Sequence, residues 1–254
     1  AMSRAREAAQ KALSLDDSLA DAHTSLGFVK MHYDWDFSGA EKEFQRAIEL
    51  NPGYATAHHW YAYDLVALGR MEDALAEIRR AQKADPLSVI ISRDVGEMLL
   101  FAGRDEEAIA QCRQTLEMDT GFALAHHVIA WADYRLGHKK EFLEELGKSE
   151  SDTTAGVRGL IYVFQGKRAE ARRFVAQVDE SSRGGSNVST GAVGVYAFLG
   201  ETDRAFAELE KSFEEREGGL ILLRVAPWCE PLRSDPRFDQ LARRIGLPPA
   251  KPSP

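Results

Sequence analysis

Leu68-Gly69-Arg70-Met71-Glu72-Asp73-Ala74 decides how this chain folds, because its outline returns down the sequence at a fixed interval. Gly69, Gly103, Gly137, Gly166 and Gly200 follow one another at 34, 34, 29 and 34 residues. A second series keeps step: Ala40, Ala74 and Ala108 are 34 apart, as are Ala171 and Ala205, and each later Ala lies five residues beyond its Gly. A period of 34 with a small residue in each of two helical stretches is the pattern of a helix-turn-helix array. Such an array grows by stacking and has no single central core, so the 254 residues read as one continuous solenoid rather than as several domains.

Aligned on these markers, the units span about 20–54, 55–88, 89–122, 123–151, 152–185 and 186–219. The first carries His23, Leu26-Gly27, Ala40, Phe44, Ala47 and Pro52, with one residue inserted around Asp34-Trp35-Asp36-Phe37. The second carries His58, Tyr61-Ala62, Ala74, Ile78, Ala81 and Pro86, and the third Ser92, Val95-Gly96, Ala108, Cys112 and Thr115. These positions resemble the tetratricopeptide repeat (TPR) family. The resemblance implies an all-α fold, a right-handed superhelical solenoid of antiparallel helix pairs with a C-terminal capping helix. Small residues at the Gly27 and Ala40 type of position let paired helices approach to about 8–10 Å. A glycine in each turn adopts a left-handed backbone at no steric cost.

The period fails in three places. Residues 1–19 read as a partial repeat, a second helix only, with Ala1-Met2-Ser3 as an expression scar on a segment cut from a longer protein. Near 140–155 the spacing shortens by five residues and Phe142 stands where a small residue belongs, so a shortened helix and loops at Gly147–Asp152 and Ser181–Asn187 are expected. After Glu217 the repeat stops: 220–246 is expected to cap the array through a helix begun by Asp235-Pro236 and buried through Phe238, Leu241 and Ile245, and 247–254 to be a loose tail. Pro231–Phe238 together with Arg243–Pro248 resembles the closing segment of repeat regions in bacterial multidomain regulators.

Composition narrows the function. A net charge of -8 argues against nucleic acid as a direct ligand, and no run of eighteen apolar residues offers a membrane span. Cys112 and Cys229 form no disulfide framework or metal spacing. The pairs His58-His59 and His126-His127 lie two periods apart, so about 20 Å separates them and they cannot share a metal. No nucleophile has an identifiable base, and neither enzyme activity nor a cofactor is expected.

The TPR resemblance implies a concave groove lined by first helices. The residues it places there are Thr24, Phe28, Met31, His59, Tyr63, Val66, Arg93, Glu97, Phe101, His127, Trp131, Tyr134 and Arg135. Of these, His59, Tyr63, Arg93, Glu97, Phe101, His127, Trp131, Tyr134 and Arg135 are the candidate peptide-binding residues, since aromatic and Arg side chains carry most interface energy. The Lys and Asn of the two-carboxylate clamp found in chaperone-binding relatives are replaced by Thr24 and Phe28, so an apolar or mixed peptide is the better ligand. The expected partner is a protein or peptide, which another domain of the same polypeptide could supply, and the expected setting is the cytoplasm. Homodimerisation and small-molecule sensing around His127 and Trp131 are the alternatives.

Overall fold

Gly69, Gly103, Gly137, Gly166 and Gly200 all have φ between 71° and 79° in the computed structural model, which describes residues 2–150, 156–181 and 189–249. Each ends a first helix. The chain runs α1 (Met2–Leu15), then the pairs α2 (Ala20–Val29) with α3 (Phe37–Leu50), α4 (Ala55–Ala67) with α5 (Met71–Ala84), and α6 (Val89–Phe101) with α7 (Asp105–Met118). The pairs α8 (Ala123–Leu136) with α9 (Lys139–Lys148), α10 (Val157–Phe164) with α11 (Arg168–Ser181), and α12 (Ser189–Leu199) with α13 (Thr202–Glu214) follow, and α14 (Pro236–Ile245) closes the chain. The described residues hold no strand, and the architecture is the all-helical solenoid that the period predicts.

The small residues do what their spacing implies. Ala40, Ala74, Ala108, Ala171 and Ala205 are fully buried. A Cβ added to Gly96 would lie 2.4 Å from Cys112 Sγ, so a side chain there would force α6 and α7 apart. Ala108→Leu should therefore lower stability by about 1–3 kcal/mol through overpacking. Chemical denaturation checks this, and an unchanged midpoint would mean the helix register is misread.

The irregular unit has a packing reason. α9 has 10 residues where α3, α5 and α7 have 14 each. Phe142, in the place of a small residue, is buried against Tyr134 (5.5 Å between centroids), Phe164 (4.7 Å) and Trp131 (6.0 Å). An aromatic cluster thus replaces the close helix contact of the other units. The expected loop at Gly147–Asp152 begins inside α9, and its last two residues, with Ser182–Asn187 and 250–254, lie outside the described residues.

The inserted residue in the first unit is absorbed by a π-helical turn, Lys30–Asp34, continuing α2, after which Trp35 takes φ 57°. The Asp36 side chain then accepts a hydrogen bond from the Gly39 N–H (3.0 Å) and starts α3. This turn meets the far end of the array. Phe213 of α13 packs on Trp35 with centroids 5.0 Å apart, and Arg216 Nη1 donates to the Tyr33 carbonyl at 2.9 Å. The two ends of the array are in contact.

The C-terminal segment does more than cover the last repeat. α14 lies along α13, where Arg237 sits 4.3 Å over Phe206 and pairs with Asp203, while Arg244 sits 4.0 Å over Phe213 and pairs with Glu210. Before it, two short 3-10 turns, Gly218–Leu222 and Pro227–Leu232, bury Leu220, Ile221, Cys229 and Leu232. The first of these packs on α4 and on the Lys30–Asp34 turn, and the second on α12. All three contacts are with first helices or their continuation, so this stretch, called the strap below, runs along the inner face. Leu247 is also buried and Pro248 lies by Gly69, so the tail is anchored at its start.

Candidate functional site: the inner face of the array

The candidate residues come in pairs four apart on α4, α6 and α8: His59 with Tyr63, Arg93 with Glu97, and His127 with Trp131. A spacing of four keeps both members on one helix face, and the 34-residue period brings the faces side by side. His59 Nε2 lies 2.5 Å from Asp94 Oδ2, and Arg93 forms ion pairs with Asp94 (2.8 Å) and Glu97 (2.9 Å). The Tyr63 hydroxyl donates to Glu97 at 2.6 Å. One network therefore joins two repeats. Burial pushes the Glu97 carboxyl up, against the pull of Arg93, and burial likewise raises the Tyr63 hydroxyl well above its usual range.

His127 and Trp131 form a second group. The Trp131 indole N–H donates to His127 Nε2 at 3.1 Å, which places the imidazole proton on Nδ1, a buried atom with no partner. Burial first, and the Arg93 charge second, hold His127 neutral by lowering its pKa to about 4. Trp131 is 1% exposed and stacks on Phe198 of α12 at 5.8 Å. Tyr134 lies edge-on to Trp131 (5.6 Å) and Phe198 (5.6 Å), and its hydroxyl is raised by burial and by Glu230 of the strap.

Two candidates stand apart from these groups. Phe101 is half-buried against the core at the end of α6. Arg135 pairs with Asp105 and donates to the Leu100 carbonyl, so its charge is used in holding the α6–α7 turn to α8. The structure thus brings His59, Tyr63, Arg93 and Glu97 together in one group and His127 and Trp131 in another, with their polar groups largely engaged with one another. The more accessible inner surface is aromatic: Trp60 stacks on His59 (4.7 Å), meets Phe28 (4.7 Å), and Phe28 meets His32 (4.3 Å). Trp60, Asp94 and the strap are absent from the sequence-based set. Asp94 occupies a place held by Trp60 and Val128 in the adjoining units, so the repeat carries no signal for it.

A second device repeats along the array. His23, His58 and His126 bond through Nδ1 to Glu43 (2.7 Å), Glu77 (2.6 Å) and Glu145 (2.6 Å) on their paired helices. Gln111 completes the series by donating to the Ser92 carbonyl at 3.1 Å. Positions 43, 77, 111 and 145 are 34 apart and lie 19 residues beyond His58, Ser92 and His126, while the inserted residue of the first unit lengthens the His23–Glu43 interval to 20. His58 Nε2 also faces the Pro52 carbonyl at 3.0 Å, so both ring nitrogens meet acceptors. The Glu77 bond above all raises its pKa. These histidines are structural clamps within each repeat. Among the described residues no cluster of three or more His, Cys, Asp or Glu could hold a metal, and no helix is long and apolar enough to cross a membrane.

Helix pairs at a 34-residue period, left-handed turn glycines and first helices facing inward define a superhelical repeat solenoid. Direct comparison supports the tetratricopeptide repeat family: residues 36–86 and 62–121 match its family model, and the other helix pairs continue the same solenoid. No curated protein matches the sequence. Among solved structures, the chain is similar to a tetratricopeptide repeat protein from Parabacteroides merdae (TM-score 0.61, 16% identity, 96% of this chain and 92% of that one). It is also similar to PilW, a type IV pilus biogenesis factor (TM-score 0.59, 18% identity, 74% and 90%). A third resemblance is to a chain of the APC/C hetero-tetramer Cut9-Hcn1 (TM-score 0.63, 11% identity, 96% and 46%). At these identities the likeness is one of fold.

Proposed function

We propose that this protein is a non-catalytic protein-interaction scaffold whose inner face receives a peptide segment of a partner. The observation that carries the reading is the strap: first helices hold a non-repeat stretch of chain, rich in Leu and Pro, in short 3-10 turns. A face that accommodates such a segment has the chemistry for a ligand of the same kind. Trp60, Phe28 and Phe101 are partly accessible aromatic groups on that face, and a buried aromatic anchor contributes on the order of 2 kcal/mol to binding. A related fold in Cut9-Hcn1 occurs within a hetero-tetramer.

The test is selection from a random peptide display library on the wild type and on Trp60→Ala/Phe101→Ala. Apolar, aromatic-containing peptides should enrich, and their affinity should fall at least roughly thirtyfold in the double variant while its far-UV spectrum is retained. Equal affinity for both proteins would remove the inner face as the binding site.

The wider role we infer is that of a cytoplasmic regulatory region in a larger bacterial signalling protein, supported by the resemblance of Pro231–Pro248 to the closing segment of such regulators. The natural reading frame tests it: an output domain in frame supports the role, and a gene that begins near Ser3 overturns it. A second reading, self-association, has the exposed Leu15 (81%), Leu87 (83%), Ile90 (53%) and Met118 (41%) in its favour, all near junctions between successive repeats. Light scattering that gives a monomer at high concentration would dismiss it.

A further inference from the structure

We propose that the strap is an intramolecular ligand: residues 218–232 occupy the inner face, the Arg216–Trp35 contact latches them there, and a partner segment of the same apolar, proline-containing chemistry enters by replacing them. The inference rests on the scaffold reading and adds its regulation and the class of its partner.

Four observations converge on the latch. Trp35 (φ 57°) and Arg216 (φ 53°) are the two non-glycine residues with left-handed backbone among the described residues, a conformation unfavourable for side chains with a Cβ. They meet each other, with the Arg216 guanidinium 4.7 Å over the Trp35 ring. The joint is bridged by few polar contacts: Arg216 donates to the Tyr33 carbonyl, and His32 Nδ1 lies 3.4 Å from the Gly218 carbonyl. Around it, His32 Nε2, Trp35 Nε1 and Glu217 Oε2 are buried without hydrogen-bond partners.

Buried polar atoms without partners carry a desolvation cost that is recovered on exposure to water. Strained backbone at a joint is likewise held only while the surrounding contacts hold it. The closed state is therefore opposed at the latch while the apolar burial of Leu220, Ile221, Leu223 and Cys229 favours it. Such a joint is suited to exchange. A competing segment that reproduces the apolar burial, without having to rebuild the left-handed Arg216, replaces the strap on more favourable terms.

The geometry also supplies a lock. A Cβ on Gly218 would lie 3.5 Å from the Cβ of His32, within the range that a disulfide spans, and Gly218 has no positive φ. Cys112 and Cys229 are buried and so do not compete for oxidation. The full-length His32→Cys/Gly218→Cys protein can then be compared, oxidised and reduced, with Arg216→Ala and the wild type. The probe is a fluorescein-labelled peptide with the sequence of residues 217–232 and Cys229→Ser, so that it brings no thiol to the redox comparison; it is read by anisotropy, and hydrogen–deuterium exchange reports the amides of 218–232.

The strap amides of Arg216→Ala should exchange faster than those of the wild type. The probe should bind this variant at least about tenfold more tightly, since a closed site reduces apparent affinity by the fraction that is open. Oxidation of the double-cysteine protein should abolish binding and reduction should restore it. Equal binding to the oxidised and reduced forms would overturn the strap as a competitor while leaving the inner face a peptide site. Exchange that shows the strap released, with no probe bound to any form, would overturn both this proposal and the scaffold reading. Because the lock comparison uses one polypeptide in two redox states, it decides the matter even if Arg216→Ala does not fold.

Discussion

Trp131→Ala is expected to lower the melting temperature by roughly 10 °C or more, and so to act as a folding mutation before it acts as a binding one. The indole is 1% exposed and contacts Tyr134, Phe142 and Phe198, which come from α8, α9 and α12. Removing a buried Trp typically costs about 3–5 kcal/mol, because the cavity closes only in part. The loss also deprives His127 Nε2 of its donor and leaves both ring nitrogens of a buried, neutral imidazole without protein partners. Since the cluster joins the irregular α8–α9 pair to α12, its loss should loosen the middle of the array. Calorimetry decides the point. A melting temperature within about 2 °C of wild type, with peptide binding lost, would return Trp131 to the role of an accessible anchor.

Asp64→Asn is expected to be stabilising, by an amount that grows with pH. Asp64 on α4 is fully buried with neither carboxylate oxygen hydrogen-bonded. Burial, reinforced by Glu41 and Asp36 and partly offset by Arg70, raises its pKa from 3.8 to about 8. The folded protein therefore keeps this proton between those values while the unfolded chain has released it. The contribution to stability is present in full below pH 3.8 and is lost progressively as pH rises towards about 8. That span corresponds to a limit on the order of 5 kcal/mol, reduced by whatever relaxation admits water to the carboxylate. Urea unfolding at pH 4.5 and 8.5 should show the variant close to wild type at the lower pH and well above it at the higher. Parallel stability curves for the two proteins would sink the argument.

The repeat was legible because each of its parts acts within one unit. Gly69 and its counterparts end first helices by local geometry, and Ala74 or Ala108 is small because its own partner helix lies against it. The His58–Glu77 clamp is legible in principle, since His58 and His126 are 68 residues apart and so are Glu77 and Glu145, but which glutamate meets which histidine follows only once the paired helices lie side by side. The candidate site was readable only as a list of residues facing one way. Whether a residue that faces inward is free to bind depends on its neighbours: Arg93 is taken up by Asp94 and Glu97, and Arg135 by Asp105, and those partners follow no period.

By itself the sequence determined the helix pairs, their turns and the face that each first helix turns inward, because these are settled by packing within about 34 residues of chain. Only the tertiary structure decided what lies on that face. Tyr33 and Arg216 are 183 residues apart, and they meet because small rotations accumulate over successive units until the array's ends come together. No local pattern encodes that sum, so neither the latch nor the strap it holds could be read from the residues that form them.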